Sequence, residues 1–231
     1  MTKTSKILMV FTSAATTETG KPAGYYLPEA AHPYYSFVQA GFHVDFASPN
    51  GPHPPVSKGS VEDFKDDESV KFLQDPDVTN KFSKCKTLSD VNPSEYDAVF
   101  YVGGHGPVID LSKDPKNAEL VSAFWKSDKL VAAVCHGPAA LVQGKDSNGE
   151  SIFEGKRFTG FSNAEEKAYG FPVEEIGFWL EDRITELGGK FESADELLQS
   201  HVVVDGKLYT GQNPAAAKPL AERIVKDLKK Q

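Results

Sequence analysis

The chain has 231 residues, 39 % of them hydrophobic, and a formal net charge of −8 at pH 7. That length suits one large α/β domain with a full core, and the acidic balance argues against nucleic acid or an anionic membrane as partner, since both call for basic patches. The only two cysteines, Cys85 and Cys135, make no disulfide framework and fit a reducing compartment.

Lys6–Thr12 reads as a strand that is apolar on both faces, as parallel strands are. Lys3, Lys6 and the Ile7–Phe11 run imitate a secretory signal, but five apolar residues fall short of the roughly 7–15 that such a signal needs. No segment approaches the roughly 20 apolar residues of a membrane span. A soluble, cytoplasmic protein is expected, with the nucleus also open. Ser13–Gly24 is a polar loop at the C-terminal end of the first strand, the end at which open α/β sheets bind ligands. Pro28 to Ala40 is helical and is stopped by Gly41. Phe42–Ser48 is the second strand, and the β-loop-α-β unit predicts a right-handed parallel crossover.

From Pro49 to Pro93 the character changes. Asn50–Pro55 is rich in Pro and Gly, and Glu62–Glu68 is acidic, a solvated face. Short helical pieces follow at Ser69–Leu73 and Val78–Lys84. This is the pattern of a cap or insertion, residues 49–95, within a single domain spanning 1–231. Cys85 lies here with no chemical neighbours and reads as structural. Tyr96–Val102 is the next strand, ending in Gly103-Gly-His-Gly106. Pro115–Ser127 is a helix with Trp125 on its core side. Leu130–Val134 is a buried strand, and Ala139–Val142 beyond it reads as helix. Gln143–Gly155 is a polar loop with a turn at Asn148-Gly149. Arg157–Gly160 is a short strand, and Asn163 caps a short helix through Ala168. Pro172–Leu187 is helical, stopped by Gly188-Gly189. Lys190–Ser193 and His201–Val204 are strand-like. Val202–Thr210 is a hairpin with Asp205-Gly206 as its turn, and Asn213–Lys230 is an amphipathic helix.

The chemistry gathers around Lys129–Pro138. A strand, then Cys135-His136-Gly137-Pro138, then a helix places a cysteine at a sharp turn and aims its sulfur at a helix N-terminus, where negative charge is favoured. Such sites lower a thiol pKa from about 8.5 into roughly the 3.5–7.5 range, so Cys135 is a candidate nucleophile in an elbow-like setting. His136 beside it is the usual proton acceptor. Gly103 and Gly104 either supply an oxyanion donor or form a plain tight turn. Glu29, at a helix start, either offsets the helix dipole or shuttles protons at the sulfur. Either Glu165 or Glu166 could orient His136. His32, His43, His53 and His201 show no metal-ligand spacing with Cys, Asp or Glu, and no metal is expected.

Together, Glu29-Ala-Ala-His-Pro33, Gly103-Gly-His-Gly106 and Ala132-Ala-Val-Cys-His-Gly-Pro138 resemble the ThiJ/PfpI superfamily. Within it the chain is similar to the fungal heat-shock-protein-31-like group, the glutathione-independent glyoxalases (glyoxalase III). The likeness runs through the cap-like insert to the hairpin before Thr210-Gly-Gln-Asn-Pro214. It implies a flavodoxin-like α/β sandwich with a mostly parallel central sheet. It implies Cys135 as nucleophile, His136 as its partner and Glu29 as the carboxyl beside the sulfur. Thr159-Gly-Phe-Ser-Asn-Ala-Glu-Glu166 matches the stretch carrying the triad's acid, which falls on Glu166. The oxyanion donors would be the amides of Gly104 and His136, with His105 lining the pocket. The implied reaction takes a small 2-oxoaldehyde, methylglyoxal or glyoxal, to the hydroxy acid (D-lactate from methylglyoxal) without cofactor. A homodimer is implied as well. A holdase chaperone acting on misfolded clients, a protein deglycase, and a cysteine peptidase or amidase are the competing expectations.

Overall fold

The structure, a computed structural model, describes residues 4–170 and 172–230; Lys3, part of the signal-like pattern, lies outside them. The strands in chain order are β1 (Lys6–Val10), β2 (His43–Ser48), β3 (Lys86–Thr87), β4 (Ala98–Tyr101), β5 (Leu130–Val134), β6 (Arg157–Phe158), β7 (Lys190–Phe191), β8 (Val202–Asp205) and β9 (Leu208–Gly211). Among the described residues, seven of them form the central sheet in the order β3-β2-β1-β4-β5-β9-β8. Every neighbouring pair in it is parallel except the β8–β9 hairpin. β6 and β7 pair separately.

The sheet is covered on both faces, and the strand sequences show why. In β1, Ile7 and Met9 enter one core while Leu8 and Val10 enter the other; β5 divides in the same way, Ala132 and Val134 against Val131 and Ala133. Successive side chains point to opposite faces, so a strand apolar at every position needs a layer on each side. One layer is α1 (Leu27–Gln39) packed against α9 (Ala217–Leu228); Leu27, Ala30, Leu220 and Ile224 fill it. The other layer holds α6 (Pro115–Lys126) and α8 (Leu180–Glu186), with Phe124, Leu180 and Ile184 buried. This is the flavodoxin-like α/β sandwich. No helix among the described residues is long and apolar enough to cross a membrane.

Residues 58–83 form three short helices, α2 (Lys58–Asp63), α3 (Asp67–Gln74) and α4 (Pro76–Ser83). The sequence reading missed the first of them. Its N-cap is Ser57, and Ser60 inside it receives the Leu27 N–H, so α2 is tied to the start of α1. Two other expectations need correction. Residues 137–141 form a 3-10 turn instead of an α-helix; Asn117 takes the Ala140 carbonyl at 2.6 Å. The helix expected over Pro172–Leu187 is broken. A 3-10 turn at Val173–Glu175 ends at Gly177, whose φ is +92°, and α8 starts afresh at Leu180.

β1 has β2 on one side and β4 on the other, so the winding reverses direction there. A crevice opens at such a point outside the C-terminal strand ends. The loops after β4 and β5 and the start of α1 meet in it.

Candidate active site

β5 ends at Val134 and the chain turns sharply at Cys135, which has φ +60°, in the left-handed region. A residue with a Cβ holds that conformation only where its surroundings force it, and such strain gathers at functional sites. Here the Cys135 N–H donates to the Gly211 carbonyl on β9, and the Cys135 carbonyl accepts from the Phe161 N–H, both at 2.9 Å. The turn has the character of a nucleophile elbow. Its side chain lines a cavity of about 290 Å³ together with Gly104, His105, His136, Tyr26 and Phe161.

Three groups surround the sulfur. Glu29, in the first turn of α1, is fully buried. The groups that act on its carboxyl are the Cys135 thiol and the Gly103 N–H. The fit is close: a methyl added at Gly103 would overlap Glu29 Oε2 and stand 2.8 Å from Cys135 Cβ. His136 Nδ1 is 3.3 Å from Cys135 Sγ, and its Nε2 is 2.5 Å from Glu166 Oε1. The backbone N–H groups of Gly104 and His136 also act on the sulfur.

The electrostatics differ from the sequence expectation of a depressed thiol. Burial pushes the Cys135 thiol well above its ordinary range, and the neighbouring Glu29 adds to this; the amides of Gly104 and His136 pull the other way. Only a five-residue 3-10 turn comes after the cysteine, not a long helix whose dipole would prevail. Burial also raises the Glu29 carboxyl well above its usual range, against the pull of Cys135 and Gly103. Two buried acids in contact cannot both ionise, so the Glu29–Cys135 pair keeps at least one proton. Glu166 goes in the opposite direction. Burial works against its charge, but His136 and His105 outweigh it and bring the carboxyl down to about 2. Burial and the nearby His136 lower His105, against the pull of Glu166.

The two adjacent glutamates divide. Glu166, on α7 (Asn163–Tyr169), reaches His136. Glu165 turns away, fully buried, and accepts from the Ser162 N–H and hydroxyl, Gln212, Asn213 and the Leu198 N–H at 2.8–3.2 Å. The N-cap of α7 is Ser162, which makes a capping box with Glu165, in place of the expected Asn163.

One group of three among the described residues could in principle hold a metal ion, namely His105, His136 and Glu166, with atoms within 4.8 Å of one another. Around a tetrahedral ion with bonds of about 2.1 Å, two ligand atoms would stand about 3.4 Å apart. The 2.5 Å between His136 Nε2 and Glu166 Oε1 is a hydrogen bond, and the set fits proton transfer better than metal binding.

The structure thus brings Cys135, His136, Gly104 and His105 to one cavity, with Glu29 and Gly103 packed against Cys135 and Glu166 against His136, and it keeps Cys85 apart, buried near β3. Sequence reasoning passed over Tyr26, Phe161 and Tyr169, the aromatic walls. Phe161 stands 4.6 Å, ring to ring, from His136. Its signals in the sequence are its place between a short strand and an N-cap and its position in the Thr159–Glu166 stretch. A wider groove of about 660 Å³ lies outside, sharing Tyr26, Asp63, Tyr169 and Pro214.

Comparison with known proteins gives a consistent picture. The DJ-1/PfpI family profile matches residues 23–227. The chain is 31 % identical to the glutathione-independent glyoxalase HSP31 of Saccharomyces cerevisiae, covering 97 % of this chain and 98 % of that one. Among solved structures, the Rapid Encystment Protein 24 KDa of Francisella tularensis is 37 % identical with a TM-score of 0.91, covering 97 % of this chain and 99 % of that one. Glyoxalase III of Candida albicans is 26 % identical with a TM-score of 0.87, covering 96 % of each chain.

Proposed function

The chain belongs to the DJ-1/PfpI family, and from that premise we propose that it is a glutathione-independent glyoxalase of the glyoxalase III type, converting methylglyoxal and water to D-lactate with its own side chains. The observation that carries this reading is the meeting of two proton-handling groups at one sulfur: the buried Glu29 carboxyl, and His136 backed by Glu166.

Those positions set the order of the steps. The Cys135 thiol gives its proton to His136 Nδ1 as the sulfur bonds to the aldehyde carbon. Charge develops on the aldehyde oxygen, where the amides of Gly104 and His136 receive it. Glu29, which holds a proton, gives it to that oxygen, completing the hemithioacetal and leaving Glu29 as a carboxylate. Glu29, whose raised pKa suits it to both roles, takes the proton from the former aldehyde carbon. The enediol is reprotonated at the neighbouring carbon and becomes a lactoyl thioester. Water then releases the acid and restores the thiol.

The test is turnover of methylglyoxal by purified protein without glutathione and after chelation, with the lactate enantiomer assayed enzymatically. Cys135→Ala should abolish turnover, and Glu29→Gln should lower kcat about 100-fold or more, both with unchanged circular dichroism. No D-lactate from folded, reduced wild type would overturn the reading. It would shift attention to a holdase role, for which exposed Tyr169, Leu197 and Leu198 are the candidate surface.

A further inference from the structure

We propose that the mouth of the active site selects 2-oxoaldehydes whose side group carries a positive charge, held by the Asp63 carboxylate among the rings of Tyr26, Phe64 and Tyr169 while the aldehyde reacts at Cys135. The proposal rests on the glyoxalase reading and extends it from the reacting carbons to the rest of the substrate.

The space is larger than methylglyoxal needs. Cys135 lines a cavity of about 290 Å³, and a groove of about 660 Å³ adjoins it. Spaces of roughly 300–1,000 Å³ hold ligands of drug size, whereas methylglyoxal has only a methyl group beyond its two carbonyls. Tyr26, Asp63, Tyr169 and Pro214 line both spaces and so form the passage between them. They come from four parts of the chain: the start of α1, the end of α2, the end of α7 and the segment after β9. Glu29, fully buried beside Cys135, lines neither space. A side group beyond the second carbonyl carbon finds its room in the passage.

Charge then selects among such groups. Asp63 is exposed and has no hydrogen bond or ion pair among the described residues. It stands in the last turn of α2, where the helix dipole disfavours negative charge, so local structure gives no reason for a carboxylate there. The two basic side chains on the groove are already engaged: His32 Nε2 lies 2.9 Å from Asp66, and Lys218 Nζ lies 3.2 Å from Glu68. Glu222 adds a second carboxylate to the groove, also without a partner among the described residues.

Aromatic rings surround this charge. Tyr26 meets Phe64 edge to face with centroids 5.5 Å apart, and Tyr169 meets Phe161 at 5.7 Å. Burial, Glu29, Cys135, Tyr169 and Asp63 all raise the Tyr26 phenol, and burial, Cys135, Asp63 and Glu165 raise that of Tyr169. Both rings therefore stay neutral, and both lie within electrostatic reach of the sulfur and of Asp63. Ring faces beside a carboxylate attract an ammonium group. An anionic group would lose hydration there and meet like charge.

The experiment compares kcat/KM for phenylglyoxal and two para-substituted derivatives, one trimethylammoniomethyl and one carboxymethyl. The methylene insulates the reacting carbonyls from the added charge. Wild type should prefer the cationic derivative over the anionic one by about 10-fold, with phenylglyoxal between them, and about 1 M salt should shrink the preference. Asp63→Asn should bring it to about 2-fold. Glu150→Gln removes a carboxylate from the loop attached to α6 in the opposite layer and should keep the wild-type ratio. A wild-type ratio near one, or a ratio that Asp63→Asn leaves unchanged, would overturn the proposal. So would an equal drop in both variants, since the selectivity would then belong to the overall charge of −8 and not to the passage. A readout that needs no aryl turnover is inhibition: phenyltrimethylammonium should compete with methylglyoxal in wild type, and benzoate should not. Equal inhibition by the two counts against the proposal. Wild type that makes no D-lactate from methylglyoxal would instead sink the glyoxalase reading, so the two failures are distinct.

Discussion

Gly103 is where the elbow, the end of β4 and the Glu29 carboxyl converge. An added Cβ there overlaps Glu29 Oε2 and the Val134 carbonyl and stands 2.8 Å from Cys135 Cβ. The carboxyl is the one group free to retreat, since the other two belong to the strand and its turn. Gly103→Ala should therefore push Glu29 off the sulfur and lower kcat about 100-fold, the cost of a displacement of about 1 Å in a reacting group. The clash with the Val134 carbonyl is not relieved by that retreat, so the melting temperature should fall as well, while KM changes much less. A variant with wild-type kcat would show that the contact between Glu29 and Cys135 is dispensable. This crowding also explains what could not be read in the sequence. Glu29 in a first helical turn has an adequate local explanation in the helix dipole. Only the packing of α1 on the sheet, with β1 beside β4 and β4 beside β5, brings it to a sulfur 106 positions later. The same burial reverses the expected direction of the Cys135 thiol, because a motif records a residue's neighbours along the chain and not how thoroughly water is excluded from it.

At the scale of elements, α7 shows how two adjacent glutamates take unrelated tasks. A helix turns by about 100° per residue, so Glu165 and Glu166 face different neighbours. Glu166 meets His136, while Glu165 closes the capping box with Ser162 and takes donors from Gln212, Asn213 and Leu198. It ties the start of α7 to the segment leaving β9, the strand next to β5. Glu165→Ala would remove the acceptor of Gln212 and one acceptor each from Asn213 and the Leu198 N–H, and should cost about 3 kcal/mol of stability in a denaturant titration. Ser162→Ala, losing the cap alone, should cost about 1 kcal/mol. Equal losses would mean that Glu165 acts only as a cap. The Thr159–Glu166 motif located the helix and pointed to Glu166, but three of the donors to Glu165, on Leu198, Gln212 and Asn213, lie more than 30 positions away and leave no local trace. The break at Gly177 escaped notice for a similar reason. The side chain of Glu175 is engaged with Thr17, Thr19 and Lys21 across the molecule, an attachment that helical periodicity does not report.

For the whole molecule, the doubly apolar strands made a two-sided sheet legible, since Ile7–Val10 and Leu130–Val134 need cover on both faces. Strand order was less so. Nothing in the Val202–Thr210 hairpin says that β9 must insert beside β5, although that pairing supplies the Gly211 carbonyl that holds Cys135. The assembled fold also sets opposing carboxyl groups against one another, and this fixes its pH dependence. Glu166 is held down to about 2 by His136 and His105 despite its burial; Asp66, at the N-cap of α3, is held down to about 2 by Ser69 and His32 against its own desolvation; and Arg223 holds Asp227 down to about 2. Each has a lower pKa folded than unfolded, so its stabilisation is complete above about pH 4.5 and is lost as pH falls towards 2. For buried Glu166 the loss is roughly 3 kcal/mol. Glu29 has the opposite sign. Its folded pKa is raised, so the folded chain keeps a proton that the unfolded chain releases, and stability declines as pH rises above about 4.5. Asp110, which burial raises, shares the sign of Glu29, whereas His105, lowered by burial and His136, adds stability as pH rises towards about 6.5. Urea titrations should show a steep fall below pH 4, where the carboxylate losses add. Glu29→Gln should remove the Glu29 contribution and keep the acid limb, making the variant more stable than wild type at pH 7 and equal to it at pH 4. Wild-type stability that stays flat from pH 5 to 8, with no gain from Glu29→Gln, would show that Glu29 does not hold its proton in the folded chain, and the acid/base role proposed for it would fall with that result.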